Sequence, residues 1–143
     1  MVKKQKKEAE KKDVYKDKYL RALADYQNYQ RRVEEEMKKI SFKAKKELII
    51  KLLPFLDGLE KAESFVKDDG LQAVKRNFEK IISDEGLREV DVLGKEFSPY
   101  SAEAIATVAG EKDNLVVEVL RKGYSWHGEV IRPAQVKVSK RAV

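Results

Sequence analysis

Few residues of this 143-residue chain have side chains that could do covalent or metal chemistry. There is no cysteine, which excludes a thiolate metal site and a cysteine nucleophile, and His127 is the only histidine. His127 lies in a predicted turn without a signal for an orienting partner, so a surface role is the simpler interpretation. The 25 Asp and Glu residues are scattered rather than paired. The sequence therefore predicts no catalytic residue, no metal site and no cofactor.

Two other stretches have patterns that suit contact with another protein. Residues 21–32 place tyrosines and an asparagine at fixed helical spacing, with arginines at both ends. Residues 123–138 have the pattern of a hairpin followed by a final strand. Because catalytic motifs are absent, we expect a protein that works through its surfaces.

Charge is unusually abundant and is concentrated at one end of the chain. Asp, Glu, Lys and Arg make up 39% of the residues, above the typical value of about 25%, which indicates long exposed helices. Residues 1–53 hold 17 Lys and Arg against 9 Asp and Glu, whereas the rest hold 14 against 16. This basic excess could bind nucleic acid. However, the bases alternate with acids, which is typical of a solvated helix face.

Neither a membrane span nor a targeting segment is apparent. The apolar runs are far shorter than the roughly 20 residues that a membrane-spanning helix needs. No apolar stretch follows the basic start as it would in a secretory signal, and the start contains acids that transit peptides lack. We therefore expect a cytoplasmic protein with no membrane partner.

Residues 1–53 are predicted to form one long stalk helix. Residues 3–53 contain neither Gly nor Pro and consist mainly of strong helix formers. Apolar residues recur there in steps of three, four and seven, a narrow heptad seam with Gln30 in its one polar slot. The seam consists of Tyr19, Leu23, Tyr26, Val33, Met37, Ile40 and Ala44. A helix of about 50 residues would be roughly 75 Å long, more than the rest of the chain could cover, so a second chain is the expected partner.

Residues 54–86 are predicted to contain two short helices. Pro54 marks either a kink or the start of a new helix. Asp69 and Gln72 look like a capping box for the next helix, and Gly86 is well placed to end it. Two such helices cannot close a core, but two copies of the pair could form a four-helix bundle. The apolar residues predicted to form the dimer interface in this region are Leu52, Leu53, Leu56, Leu59, Val74, Phe78 and Ile81.

Residues 87–143 are predicted to form a small β-domain, which makes the fold class α+β. Short β-branched runs alternate there with Gly and Pro. The predicted strands lie within 90–92, 104–108, 115–120, 130–131 and 136–138. His127-Gly128 suggests a tight hairpin, and Pro133 is expected at a bulge or an edge because it cannot donate a ladder hydrogen bond.

Taken together and in this order, these motifs closely resemble those of the GrpE family, the nucleotide exchange factors of the bacterial DnaK chaperone. The resemblance covers roughly residues 20–140. The motifs that carry it are residues 21–32, Leu52-Leu53-Pro54 followed by Asp57, Leu59 and Ala62, and residues 123–138. It implies a homodimer with a paired stalk, a four-helix bundle and a β-wing from each chain. It also implies binding to the ATPase domain of a DnaK-type chaperone, opening of its nucleotide cleft and release of ADP.

The resemblance also implies where the chaperone would bind. The expected contacts are Phe97, Pro99, Leu120, Tyr124, Glu129 and Val138 in the wing, with Arg31 and Arg32 as weaker charged contacts on the stalk. For Tyr124, Ile131 and Val138 the alternative is a role in the core of the wing, because alternating apolar residues of a strand usually face inward. For Arg31 and Arg32 the alternative is a solvated helix face.

Departures from the family pattern put some of these contacts in doubt. Ser98 stands where the family usually has an acidic or amide residue, and Ala102 stands where His is usual. Both changes remove side chains that form local turn hydrogen bonds. A short basic segment, residues 1–14, replaces the acidic tail that often precedes the stalk.

Two other classes of function remain open on residue patterning. One is a basic coiled-coil protein that binds nucleic acid or the ribosome through its N-terminal third, which a steep loss of affinity with salt would reveal. The other is a purely structural coiled-coil spacer, which leaves the patterned β-domain unexplained. With the resemblance included, we expect no specific nucleic-acid partner.

Overall fold

The computed structural model describes residues 1–142 as two helices followed by six strands. The helices are α1 (Val2–Phe65) and α2 (Asp69–Asp84). The strands are β1 (Leu87–Glu89), β2 (Ala102–Gly110), β3 (Val116–Arg121), β4 (Tyr124–Trp126), β5 (Glu129–Arg132) and β6 (Ala134–Arg141). The α+β fold class is confirmed. Packing divides the chain into a helical unit, Met1–Ala44, and a compact unit that begins at Lys45.

The helical unit is the N-terminal part of α1. None of its described residues is buried, and seam residues such as Met37 and Ile40 are 66% and 68% exposed. The long N-terminal helix that the sequence predicts is confirmed, because α1 is helical through the whole of this unit. The second chain that its apolar seam requires remains a prediction.

Of the two alternatives at Pro54, a new helix is not found. α1 continues through Pro54 to Phe65, so the first short helix predicted for residues 54–86 is the C-terminal part of the long one. Pro54 itself is exposed, whereas Leu53 and Leu56 beside it are each 1% exposed. Burial of these leucines offsets the backbone hydrogen bond that proline cannot make.

The ends of α2 lie close to the predicted positions. Its N-cap is Asp68 rather than Asp69, and the Asp68 Oδ1 accepts a hydrogen bond of 2.9 Å from the Gly70 N–H. At the other end Gly86 has a φ of 98°, and its N–H donates to the Ser83 carbonyl. Gly86 is therefore the C-terminal glycine that the sequence predicts.

Strands β1, β4 and β5 form an antiparallel sheet, here called the inner sheet, which packs on the helices. The shared hydrophobic core contains Ile49, Leu53, Leu56, Ile82, Leu87, Tyr124 and Trp126, with Phe78 and Ile131 packed against it. His127 and Gly128 connect β4 to β5 with φ values of 48° and 80°. Two positive values are what a two-residue hairpin of type I′ requires, so the predicted hairpin is confirmed.

The first strand was misplaced by the sequence prediction. A strand was expected at 90–92, but β1 is Leu87–Glu89, where Leu87 pairs with Trp126 and Glu89 with Tyr124. Val92 instead belongs to the second core. Val90 packs against the same core, so the two valines of this segment indicated burial and not a strand of their own.

Strands β2, β6 and β3 form a second sheet, here called the outer sheet, with β6 in the middle, parallel to β2 and antiparallel to β3. Its core consists of Val92, Ala102, Val116, Ala134, Val136 and Val138, with Val90, Phe97 and Val119 packed against it. The chain crosses from the outer to the inner sheet at 122–123 and returns at Pro133. Pro133 therefore lies in a connection between two sheets, where no ladder hydrogen bond is needed.

Candidate functional site

The outer sheet carries exposed aliphatic side chains at its irregular positions. The register of β6 with its neighbours shifts beside Ile105, Val117 and Leu120. These three side chains are 50%, 45% and 45% exposed. A bulge changes the direction of a side chain relative to the regular pleat. The bulges thus leave apolar groups on the surface, where they are available to a protein partner.

Leu120 also borders a cleft between the outer sheet and the second part of α1. The cleft has a volume of 580 Å³ and both walls belong to the compact unit. It is lined by Leu120, Arg121 and Gln135 on one side and by Pro54, Asp57, Gly58, Glu60 and Lys61 on the other. The combination of an apolar side chain with charged walls suits recognition of a protein surface.

The predicted contacts at Phe97 and Pro99 lie in a turn before the outer sheet. Phe97 is half-buried against the outer core, and its N–H donates to the Asn114 carbonyl at 2.8 Å. Pro99 is exposed. The next residue, Tyr100, is 88% exposed and was missed by the sequence analysis. Its position directly after Ser98-Pro99, at the tip of a turn, was the signal that could have found it.

Backbone groups supply the hydrogen bonds of this turn, although Ser98 and Ala102 depart from the family pattern. The Ser98 carbonyl accepts hydrogen bonds from the N–H groups of Ser101 and Ala102 at 3.2 and 3.0 Å. Ala102 is buried and pairs with Ala134 of β6. The turn is therefore closed without the acidic, amide or histidine side chains that are usual there.

The other predicted wing contacts divide into buried and exposed residues. Tyr124 and Val138 are buried in the inner and outer cores, and Ile131 is half-buried against the inner core, which favours the core alternative for all three. Glu129 is exposed, and its carboxylate accepts a hydrogen bond from Lys46 Nζ at 2.7 Å. Glu129 is thus accessible but already paired.

Arg31 and Arg32 are exposed side chains of the helical unit. The Arg32 guanidinium carbon lies 5.6 Å from the centroid of the Tyr29 ring. Such a contact orients an arginine at modest energy, about 0.5–1 kcal/mol when exposed. A solvated face and a charged contact both remain compatible with this placement.

The predicted dimer residues of the compact unit also divide into two groups. Leu53, Leu56 and Leu59 are buried and Leu52 is half-buried, within the core of this chain. Val74 and Ile81 on α2 are exposed, and Phe78 is half-buried with its ring 5.2 Å from that of the exposed Phe55. An apolar face made by both helices is therefore left uncovered by the chain itself.

A buried arginine that the sequence analysis missed connects the sheets to α1. Arg132 is 8% exposed, and its Nη1 and Nη2 donate to the two carboxylate oxygens of Asp57 at 2.6 and 2.8 Å. Its Nε donates to the Lys122 carbonyl at 3.0 Å, and its guanidinium carbon lies 5.1 Å from the centroid of the Tyr124 ring. A charged residue between the apolar Ile131 and Pro133 was the available signal, because a buried arginine needs a partner.

The groups around Arg132 have shifted proton affinities. Burial raises the pKa of the Tyr124 hydroxyl, and the nearby carboxylates of Glu60 and Glu89 raise it further. Burial alone would lower the pKa of Lys122, but a hydrogen bond to Glu60 and the charges of Glu60 and Glu89 raise it overall. Tyr124 therefore keeps its proton, and Lys122 its charge, to a higher pH than the same groups would when exposed to solvent.

Residues 1–142 contain neither a cluster of metal-ligating side chains nor a helix that could span a membrane. No group of three or more His, Asp or Glu side chains there is placed to hold a metal ion. Neither described helix contains an apolar stretch of the length that crosses a bilayer.

Comparison with known proteins identifies the family. The GrpE family model matches residues 1–140. GrpE of Picrophilus torridus is 38% identical over 126 residues, which cover 88% of this chain and 68% of that protein. GrpE of Caldanaerobacter subterraneus subsp. tengcongensis is 36% identical over 133 residues, covering 88% and 65%, and GrpE of Geobacillus kaustophilus is 36% identical over 132, covering 85% and 62%. The chain thus spans about two thirds of the length of these relatives, and the match along nearly all of it shows that it belongs to the GrpE family.

Proposed function

We propose that this protein is a co-chaperone that accelerates the release of ADP from a DnaK-type chaperone. The observation that carries the proposal is the GrpE family match over residues 1–140, because GrpE proteins are nucleotide exchange factors for DnaK. The exposed side chains of the outer sheet supply a surface for such a partner. No bond in the nucleotide is made or broken in this role.

The proposed mechanism is linkage between two binding equilibria. The protein binds the ATPase domain more tightly when its nucleotide cleft is open, whereas ADP binds more tightly when that cleft is closed. Each ligand then lowers the affinity of the other by the same factor. Exchange therefore needs a complementary surface held in a defined orientation, and no general acid or base.

We further propose that the working form is a homodimer. The seam of the helical unit is exposed except at Val33, which is half-buried, and the face containing Phe55, Val74 and Ile81 is exposed in the compact unit. Monomeric proteins rarely leave apolar surface of this extent in water. A second copy would cover both regions, with the seam as a paired stalk and the helical face as half of a four-helix bundle.

Within this proposal the chaperone contacts the exposed candidates of the compact unit. Leu120, Pro99 and Glu129 are accessible, and Phe97 supports the turn that presents Pro99. Tyr124 and Val138 would act indirectly, by holding the two sheets in shape. Arg31 and Arg32 would add a charged contact from the helical unit.

Three measurements test the proposal. The decisive one is release of labelled ADP from a DnaK-type chaperone in the presence and absence of this protein, where an unchanged rate would refute the exchange role. Light scattering coupled to gel filtration tests the dimer, since a mass near the 16.5 kDa of one chain would contradict it. Salt dependence separates this function from polyanion binding, because phosphate contacts weaken steeply with salt.

A further inference from the structure

The two connections between the sheets lie directly against each other. One passes through Lys122 and Gly123 between β3 and β4, and the other through Pro133 between β5 and β6. A Cβ at Gly123 would lie only 2.4 Å from the backbone nitrogen of Ala134. No real Cβ tolerates that distance, so the close approach of the two connections requires glycine.

Arg132 joins both connections to α1. It directly precedes Pro133, and its guanidinium donates to the carbonyl of Lys122 in the other connection and to both carboxylate oxygens of Asp57. A planar guanidinium with two parallel bonds to one carboxylate fixes direction as well as distance. One side chain thus ties the helix to both points where the chain passes between the sheets.

Apart from this arginine–aspartate pair and the ion pair of Lys122 with Glu60 of α1, the outer sheet has little support from the helices. Its core cluster includes no helix residue among those that the structure describes, whereas the inner core includes Leu53, Leu56 and Ile82. Where the outer sheet faces α1 there is the open cleft rather than packed side chains. The angle between the outer sheet and α1 is therefore determined mainly at the two connections.

We propose that the Arg132–Asp57 pair is a clamp that sets the angle of the outer sheet on α1, and that Arg132 is a positioning residue for nucleotide exchange. The second half of this statement rests on the proposed function. When the clamp is weakened, the outer sheet samples several angles and only a fraction of molecules presents Leu120 and its neighbours correctly. Apparent affinity for the chaperone falls in proportion to that fraction, and saturating concentrations restore the rate.

Spin-label distances test the clamp without reference to exchange. The chain has no cysteine, so Lys61→Cys and Arg121→Cys place two nitroxides on opposite walls of the cleft. Doubly labelled chains are diluted with unlabelled protein, so that the distance within one chain dominates. We expect a narrow distribution in the otherwise native protein and a broad one when Asp57→Asn is added. An unchanged distribution would overturn the clamp.

Exchange kinetics test the positioning role on the unlabelled protein. For Asp57→Asn we expect the concentration giving half-maximal ADP release to rise by roughly 2- to 30-fold, a range typical of altered coupling, with the maximal rate retained. Asp91→Asn is the matched control, because it breaks an exposed pair with Lys95 at 3.1 Å away from the connections and should behave as native. A broadened distance with unchanged exchange would refute the positioning role.

The single tryptophan provides a check that the variants are folded. Trp126 is buried in the inner core, and its Nε1 donates to the Glu85 carbonyl at 2.8 Å. Its emission should be unchanged in a folded variant. If Asp57→Asn fails this check, Arg132→Lys is the alternative, because it keeps the charge but loses the two parallel hydrogen bonds. We expect it to broaden the distance distribution and to raise the half-maximal concentration for ADP release in the same way. Should the native protein release no ADP, the proposed function fails while the distance measurement still decides the clamp.

Discussion

One helix, α1, passes through two units that bury its apolar residues very differently. In the helical unit, Met1–Ala44, every apolar side chain is at least partly exposed, whereas in the compact unit Ile49, Leu53 and Leu56 are almost completely buried. Helix propensity does not explain the difference, because the second part contains Pro54 and Gly58 and is still helical. The difference comes from the inner sheet, which covers the second part with residues such as Tyr124 and Trp126 from far along the chain. An apolar helix face therefore indicates that another surface must pack on it. It does not show whether that surface belongs to the same chain.

The largest expected effect is on the free energy of unfolding. It should distinguish a leucine of the compact unit from an isoleucine of the helical unit. Leu56→Asp places a charge in the inner core and should destabilise the compact unit by several kcal/mol, roughly 3–5. Ile40→Asp should leave that unit intact, because Ile40 is exposed. Urea unfolding followed by Trp126 emission checks this comparison. Equal loss of stability in both variants would show that the two units are not independent.

Heating should separate the same two units. The helical unit has a narrow apolar stripe with Gln30 within it, so it buries little area even when paired. Calorimetry should show two transitions, with about half of the helical circular dichroism lost in the first, before Trp126 emission changes. Coincident transitions by every probe would contradict this. If the first transition lies near the upper growth temperature, the stalk would lower exchange activity during heat stress.

A smaller effect is expected at the exposed face of the outer sheet. Leu120→Ala should weaken chaperone binding by about 1–3 kcal/mol, as for a typical binding hot spot, without altering circular dichroism. Leu93→Ala is a suitable control, since Leu93 is similarly exposed but outside the cleft. Phe97→Ala should also weaken binding, but it removes packing from the outer core as well. If the two leucine variants bind the chaperone with equal affinity, Leu120 is not part of the contact surface.

The smallest expected effect is on the stability of the fold at alkaline pH. The raised pKa of Tyr124 means that the folded state keeps its proton when the unfolded state loses it near pH 10, its ordinary value. The protonated Tyr124 hydroxyl therefore contributes to the free energy of unfolding. That contribution is fully present below pH 10 and is lost as the pH rises above 10. Lys122 acts in the same direction. Urea titrations should therefore show that Tyr124→Phe loses less stability between pH 9 and 11 than the native protein.

The removal of the whole β-domain is a less clean test than these substitutions. A chain ending at Glu85 would lose Leu87, Tyr124 and Trp126, which form part of the core around Leu53. Such a chain should expose that core, so lost exchange activity could reflect unfolding. We expect the truncated chain to stay helical and dimeric and to release no ADP from the chaperone, so circular dichroism and light scattering must accompany the ADP measurement.

Local features of the fold were predictable from the sequence. The hairpin at His127-Gly128 and the end of α2 at Gly86 follow from backbone conformations that few residues adopt. The seam of the helical unit follows from spacing alone. Each of these depends on neighbours in sequence, which is why residue patterns suffice.

Features that depend on distant contacts were not predictable. The passage of α1 through Pro54 depends on the inner sheet packing over Leu53 and Leu56. The Arg132–Asp57 pair joins residues 75 positions apart, and no local pattern connects them. Of the candidate contacts, Leu120 was found by resemblance, but Ile105 and Val117 required the register shifts of the outer sheet.

The strand order of the outer sheet has a consequence for how the protein is made. β2 and β3 each pair with β6 and not with each other, and β6 is the last of the six strands to leave the ribosome. Until then β2 and β3 have no partner strand in the outer sheet, and their unpaired edges are templates for association with other chains. A product that stops before Ala134 would keep those edges permanently, so incomplete synthesis of this folding factor would yield a polypeptide that itself needs a chaperone.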